Sequence, residues 1–290
     1  MSTDPDSARK AFVIGWPIKH SRSPIIHNYW LKELGLAGSY EKIAVPTDAL
    51  ESFLRRLGEE GFAGGNVTLP HKEAAFTLCA RRTATAEQLA AVNTLWVENG
   101  QLCGDNTDVA GFLACLDAEE PGWDQTCETT VVLGAGGAAR AIVQALMLRG
   151  KTRISLVNRT RARGEDLRRQ FAQSAAEIRL CSFDELPGLL AHADLLVNTT
   201  SLGMEGQPPL VLDLAPLPAH AIVSDIVYVP LATALVRAAR ARGLAAVGGL
   251  GMLLHQAVPG FEKWFGTRPQ VTAELRALVE ADILGKAGKA

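Results

Sequence analysis

The chain has no excess of basic charge to offer a polyanion: 29 Lys and Arg stand against 31 Asp and Glu, a formal net charge of -2. Nucleic acid and anionic lipid, which need a basic field, are therefore not expected partners. No apolar run approaches the ~20 residues of a membrane-spanning helix. No apolar stretch precedes Ala11 as a secretory signal would require. The expected location is the cytoplasm. The five cysteines, Cys79, Cys103, Cys115, Cys127 and Cys181, are odd in number and include no Cys-x-x-Cys pair. That usage suits free thiols in a reducing compartment. The six histidines lack His-x-His and His-Glu-x-x-His spacing, so no metal site is expected. The chain contains no internal repeat and no low-complexity tract.

What remains is an ordinary globular composition, 48% hydrophobic, in 290 residues, enough for about two domains with a core each. Short apolar runs alternate with longer amphipathic stretches, the pattern of an α/β fold with a mostly parallel sheet. Strands are expected at 11–15, 42–45, 65–69 and 91–97, and again at 129–133, 153–158, 193–198 and 221–226. Helices are expected from Pro24 to about Leu34 with Ser23 as N-cap, and at 48–57, 72–78 and 108–116. The stretch 118–128, with Pro121, Gly122 and several acids, reads as a connector, and helical segments at 251–265 and 272–284 close the chain.

The clearest motif follows the strand at 129–133. Gly134-Ala135-Gly136-Gly137-Ala138-Ala139 leads straight into an Ala-rich helical stretch that ends at Gly150. Gly134 permits a tight turn, Gly136 lets a pyrophosphate approach the backbone, and Ala139 is small enough for close helix packing. The helix N-terminus then offers N–H groups to phosphate. An NAD site usually places Asp or Glu at the end of the next strand, to accept from the ribose 2′-hydroxyl. Here that position reads Asn158-Arg159-Thr160, with Arg163 close by. Two guanidiniums suit a 2′-phosphate that a carboxylate would repel, so the expected cofactor is NADP. The competing reading makes Arg159, Arg161, Arg163, Arg168 and Arg169 a solvated helix face.

Polar clusters in the first half fall where loops should leave strands, the usual place for ligands in open α/β sheets. Ser21 and Ser23 precede a helix N-terminus and could bind a carboxylate, although serines there are often simple caps. Thr68 and Lys72 follow a strand in Asn66-Val67-Thr68-Leu69-Pro70-His71-Lys72. Asn93 interrupts an apolar run, and Gly104-Asp105-Asn106-Thr107-Asp108 has turn composition. Lys72 and Asp108 together could supply an ammonium and an orienting carboxylate to a substrate oxygen, as ketone reduction requires.

These ordered motifs, with His20-Ser21-Arg22-Ser23-Pro24 before them and Gly251-Met-Leu-Leu-His-Gln256 after, resemble the shikimate dehydrogenase family from Gly15 to about Gly266. The resemblance implies NADPH-dependent, reversible reduction of 3-dehydroshikimate to shikimate, a step of aromatic amino-acid biosynthesis. It implies an N-terminal α/β substrate domain at 1–117, a Rossmann-type NADP-binding domain at 118–248, and C-terminal helices at 249–290 that return to the substrate domain. Lys72 becomes the acid/base residue and Asp108 its partner on the substrate hydroxyls. Ser21 and Ser23 would hold the substrate carboxylate, and Thr68, Asn93, Tyr228 and Gln256 the ring or its hydroxyls. The cofactor would meet Gly134, Ala135, Gly136, Gly137 and Ala138, then Asn158, Arg159, Thr160 and Arg163, and finally Ile226 and Gly249. Three positions depart from the family pattern: Trp16 stands where many members have asparagine, His71 where some have phenylalanine, and Val109 where glycine is frequent. Trp16 bears most on the carboxylate contacts of Ser21. A small-molecule substrate is the expected partner, with a homodimer as the candidate assembly. A quinate or dual quinate/shikimate dehydrogenase is the rival enzyme, and a non-catalytic, cofactor-sensing regulator is the rival from another class.

Overall fold

The computed structural model describes residues 9–287, with side chains to residue 285. The described residues divide into two compact units, one formed by 9–107 with 256–282 and the other by 108–255 with 283–287.

The first unit is built on β1 (Arg9–Gly15), α1 (Ser23–Glu33), β2 (Gly38–Ala44), α2 (Leu50–Arg55), β3 (Phe62–Val67), α3 (Lys72–Leu78), β4 (Arg81–Arg82), α4 (Ala84–Leu89), β5 (Thr94–Glu98) and β6 (Gln101–Asp105). Its six strands lie in the order β2-β1-β3-β5-β6-β4. β1 runs parallel to β2 and β3, while β5 is antiparallel to both β3 and β6. Phe12 on β1 meets Phe53 and Phe62 edge-on, at centroid distances of 5.3 and 5.1 Å, in the core beneath the sheet. Two helices near the C-terminus complete this unit: α12 (Ala257–Phe265) and most of α13 (Ala273–Ala287), counted in the order of the whole chain. Trp264 on α12 donates its indole N–H to Leu95 O at 2.8 Å, and Trp30 on α1 donates to Gln270 O at 2.8 Å. Each buried indole thus has the partner it needs.

The second unit contains α5 (Asp108–Glu119), α6 (Trp123–Thr126), β7 (Thr129–Leu133), α7 (Gly137–Leu148), β8 (Arg153–Val157), α8 (Arg161–Gln170), β9 (Glu177–Cys181), α9 (Leu186–Leu190), β10 (Leu195–Asn198), β11 (Ile222–Asp225), α10 (Ala234–Ala241), β12 (Ala245–Gly248) and α11 (Gly249–His255). Its sheet is entirely parallel, in the order β9-β8-β7-β10-β11-β12. Counted within the unit this is 3-2-1-4-5-6, the dinucleotide-binding order, whose direction reverses between β7 and β10. Val131, Val132, Leu133, Leu156, Val157, Leu196 and Val197 are wholly buried, as a parallel sheet covered on both faces demands.

Several local expectations change. α1 begins at Ser23 itself, with Arg22 as N-cap and no side-chain cap, so Ser23 is not the capping residue. The stretch expected as an Asx-rich turn, 104–108, is half strand: β6 ends at Asp105. The single helix expected at 251–265 is two, α11 and α12, which meet at Gln256. The division at 107/108 differs from the expected boundary at 117, because α5 packs against α7 and α11. For the same reason α11 belongs to the second unit, and the return to the first begins at Gln256 rather than 249.

Candidate active site

In the first unit the expected substrate residues gather where β1, β3 and β5 end or begin. Thr68 N–H donates to Ile14 O at 2.9 Å, and Trp16 N–H donates to Leu69 O at 3.2 Å, so the loops leaving β1 and β3 run side by side. The β1 loop carries Ser21 and Ser23. Ser23 N–H and the Ser21 hydroxyl share a turn, with Ser21 Oγ 3.3 Å from both Ser23 N and Ser23 Oγ. Arg22 between them is buried and forms an ion pair with Asp282 at 3.0 Å, which ties this loop to α13. Trp16 is 52% exposed on the same loop.

Lys72 is the first residue of α3 and is half-buried. Its carbonyl accepts the N–H of Val92 at 2.9 Å, which sets the segment 91–93 beside the start of α3. Asn93 is buried. Its Oδ1 accepts from Thr107 N–H at 2.8 Å, Thr107 Oγ at 3.1 Å and Thr94 Oγ at 2.9 Å, which fixes which way the amide points. Asn106 Nδ2 donates to Ala91 O at 3.1 Å, so residues 106–107 clamp 91–94 immediately before Asp108. Asp108 is the acidic residue of the first turn of α5, where a negative charge is favoured by the helix dipole. Gln256, the N-cap position of α12, is half-buried.

His71 is buried, and its Nε2 lies 2.7 Å from Val45 O. Asn66, which sequence reasoning noted only as part of a motif, proves to be a hub. Its Nδ2 donates to Asn93 O at 3.1 Å and Thr94 Oγ at 3.2 Å, and its Oδ1 accepts the Tyr40 hydroxyl at 2.6 Å. A polar residue next to last in an otherwise apolar strand is the signal for it.

In the second unit the glycine turn leaves β7 at the point where the strand order reverses. Gly134 has φ +107°, and a Cβ there would lie 2.6 Å from Thr199 Oγ. Thr199 holds the turn's partner strand with N–H and hydroxyl bonds to Leu133 O, at 2.9 and 2.7 Å. Gly136 is the N-cap of α7, with no side-chain cap and no acid in the first turn. A Cβ on Gly136 would meet nothing within 4 Å, so the backbone is open on the side from which a pyrophosphate would approach. Ala135 and Ala139 are buried, Gly137 is exposed and Ala138 is half-buried.

Beyond β8, Asn158 Nδ2 donates to Thr160 O at 2.7 Å, and Thr160 is the N-cap of α8. The five arginines separate into two sets. Arg161 and Arg168 pair with Glu165, at 3.5 and 2.9 Å, and Arg169 pairs with Asp166 at 3.2 Å, as a solvated helix face does. Among the described residues, Arg159 and Arg163 are exposed and have no ion-pair partner. Ile226 follows β11 and donates its N–H to Asn198 O at 3.1 Å, and Gly249 N–H donates to Val227 O at 3.3 Å. Tyr228, in the loop after β11, is half-buried and belongs, like Asp108, to this second unit, whereas Ser21, Ser23, Thr68, Lys72, Asn93 and Gln256 belong to the first.

Among the described residues no helix is long and apolar enough to cross a membrane, and no group of three or more His, Cys, Asp and Glu could hold a metal ion. All five cysteines are buried, and none is in a disulfide.

Sequence profiles match three successive parts of the chain: the shikimate dehydrogenase substrate binding domain at residues 13–95, shikimate / quinate 5-dehydrogenase at 118–204, and the shikimate 5′-dehydrogenase C-terminal domain at 249–278. A shikimate dehydrogenase (NADP(+)) of Methylocella silvestris is 60% identical over 277 residues, covering 96% of this chain and 98% of that one. Among solved structures, quinate dehydrogenase from Corynebacterium glutamicum in complex with NAD has a TM-score of 0.86 at 30% identity, covering 94% of this chain and 98% of that one. Shikimate 5-dehydrogenase from Thermus thermophilus in complex with NADP(H) and shikimate has a TM-score of 0.81 at 35% identity, covering 96% and 99%. With identity this high over nearly its whole length, the chain belongs to the shikimate dehydrogenase family.

Proposed function

We propose that the protein is an NADP-dependent oxidoreductase that reversibly reduces 3-dehydroshikimate to shikimate in aromatic amino-acid biosynthesis. The observation that carries the cofactor choice is the pair Arg159 and Arg163, left without carboxylate partners beyond β8 while their neighbours on α8 are paired. With no acid there to accept from a ribose 2′-hydroxyl, the site suits a 2′-phosphate. The open backbone at Gly136 and the uncapped start of α7 suit the pyrophosphate. Bound there, the reduced cofactor supplies hydride to the ketone carbon.

The chain's own groups supply the rest. As the ketone becomes an alcohol its oxygen gains a proton, which the Lys72 ammonium donates; in the reverse direction the Lys72 amine accepts it. Asp108 would act with Lys72 on the substrate hydroxyls, as the family resemblance implies. Ser21 and Ser23 hold the carboxylate, and Thr68, Asn93, Tyr228 and Gln256 the ring hydroxyls. Asn93 enters this role with its amide oxygen already fixed by Thr107 and Thr94. In this reading the first unit holds the substrate and the second the cofactor. The enzyme works in the cytoplasm, which five buried cysteines outside any disulfide suit. A homodimer is the assembly to test by light scattering.

The deciding experiment compares oxidation of shikimate and of quinate with NADP and with NAD. Shikimate with NADP should be turned over fastest. Faster turnover of quinate would make the protein a quinate dehydrogenase, and no turnover of either would favour a cofactor-sensing regulator.

A further inference from the structure

Asp225 ends β11, in the run Ile222-Val-Ser-Asp225, and is wholly buried, 0% exposed. Burying a carboxylate is costly unless its oxygens are hydrogen-bonded, and an aliphatic residue would fill the position more cheaply if packing were its only task. Among the described residues Asp225 has no ion-pair partner, yet both its oxygens are occupied. Oδ1 accepts from Asn198 Nδ2 at 2.9 Å and from Val227 N–H at 3.1 Å, and Oδ2 accepts from the Thr233 hydroxyl at 2.6 Å.

The three donors come from three segments, two of which are joined to expected cofactor residues. Asn198 ends β10, and its own Oδ1 accepts from Thr200 N–H at 3.0 Å and Thr200 Oγ at 2.7 Å. That turn includes Thr199, which is bonded to Leu133 beside Gly134. Val227 lies between Ile226 and Tyr228, and its carbonyl accepts from Gly249 N–H at 3.3 Å. Thr233 is the N-cap of α10, its Oγ accepting from Val236 N–H at 3.3 Å. β10, β11 and β12 form the second half of the dinucleotide fold. In such folds the first half takes the adenosine side and the second half the nicotinamide side.

We propose that Asp225 is a positioning residue for hydride transfer: it locks the 198–200 turn, the 226–228 loop and the start of α10 together, and thereby sets the nicotinamide half of the site while leaving the adenosine half to Gly134–Ala138 and Arg159. This rests on the cofactor site proposed above. Burial pushes the Asp225 pKa up against the pull of its three hydrogen bonds, which fits a carboxylate held for its acceptor geometry.

The test separates the two halves with a fragment. Adenosine 2′,5′-bisphosphate reads the adenosine half alone, whereas NADP reads both. With Asp225→Ala in the full-length protein, the dissociation constant of the fragment should stay within about 2-fold of the unmodified protein, that of NADP should rise several-fold, and kcat for shikimate oxidation should fall by roughly 10–100-fold, the scale of a small misplacement at the reacting centre. Asp225→Asn keeps one acceptor oxygen and should fall between the two. Thr233→Val removes a single bond at nearly constant shape, so it remains informative should Asp225→Ala fail to fold; it should give the same pattern in weaker form. Equal weakening of fragment and NADP in the folded variants would overturn the proposal, as would unchanged kcat and NADP affinity. The two dissociation constants decide the matter even if the unmodified protein proves not to turn over shikimate, so the failure of that activity is distinguishable from the failure of this role.

Discussion

The backbone oxygen of Lys72 accepts the N–H of Val92 at 2.9 Å, a bond that sets residues 91–93 beside the start of α3 and that survives any change of the side chain. Lys72→Ala should therefore keep the melting temperature close to that of the unmodified protein. kcat should fall by roughly 10²–10⁴, the usual loss on removing a general acid or base, with a smaller change in KM. A near-normal kcat with a raised KM would make Lys72 a binding residue.

Arg159 and Arg163 separate from their paired neighbours on α8, and that separation can be read in cofactor preference. Each charge-assisted contact to a phosphate contributes about 1.5–3 kcal/mol. Replacing both arginines with alanine should raise the KM for NADP strongly and that for NAD little. The same change at Arg168 and Arg169, which pair with Glu165 and Asp166, should alter neither. Equal losses for both cofactors would remove the argument for a 2′-phosphate.

In the proposed site Ser21 and Ser23 bear on a carboxylate whose charge does not change during the reaction, so they should act in binding. With Arg22 as the N-cap residue and no side-chain cap on α1, the Ser23 hydroxyl is not needed to start the helix. Ser21→Ala and Ser23→Ala should raise the KM for shikimate more than they lower kcat. Thermal melting is the control. A Ser23→Ala protein with a lowered melting temperature and unchanged kinetics would return the residue to a structural role.

How much of this was legible in the sequence varied with the range of the interactions involved. β7 and α3 have the expected bounds, because a Thr-Thr-Val-Val-Leu run and a short amphipathic stretch are decided by neighbours along the chain. β6 was hidden by its own composition: Gly104, Asp105 and Asn106 are turn formers, and pairing with β5 outweighs that preference. Asn99-Gly100, with φ of 52° and 74°, is the hairpin signal that announces it. The break at Gln256 does have a signal: Pro259 falls in the first turn of α12, where its missing N–H costs nothing, whereas inside one continuous helix it would remove a backbone bond. The hubs at Asn66 and Asp225 were the least legible. Their meaning depends on partners 27 residues away, an acceptor at Asn93 and a donor at Asn198, and only the folded sheets bring these together.

Gly134 and Gly136 should respond oppositely to the same substitution. At Gly134 the backbone is in a left-handed conformation and Thr199 Oγ stands 2.6 Å from where a Cβ would be, so Gly134→Ala should destabilise the protein by about 1–3 kcal/mol. At Gly136, φ is -91° and a Cβ would meet nothing within 4 Å. Gly136→Ala should leave the melting temperature nearly unchanged and weaken NADP binding, because the added methyl enters the space reserved for the pyrophosphate. Unchanged NADP affinity in a folded Gly136→Ala protein would place the pyrophosphate elsewhere.

His27 sits 0% exposed among aromatic rings, stacked on Tyr40 at a centroid distance of 4.1 Å and parallel to Phe261 at 5.9 Å. Neither ring nitrogen has a protein partner with hydrogen-bond geometry. Burial lowers its pKa from 6.5 to about 3, with the Asn66 side chain opposing to a smaller extent. The fold therefore requires the neutral ring. Above pH 6.5 the ring is neutral in both folded and unfolded chains, and its contribution is fully present. As the pH falls from 6.5 toward 3 the unfolded chain takes up a proton that the folded one refuses, so stability is lost at up to about 1.4 kcal/mol per pH unit. His27→Phe retains a ring to stack on Tyr40 and has no proton to bind. Urea unfolding at pH 6.5 and pH 5 should show the unmodified protein losing on the order of 2 kcal/mol more than the variant between the two conditions. Asp194 and Glu185, whose pKa values are lowered in the fold, lose their contribution at more acidic pH and are common to both proteins, so the difference isolates His27. Identical pH dependence in the two proteins would mean that the His27 ring is protonated inside the fold, and that a charge is accommodated between Tyr40 and Phe261.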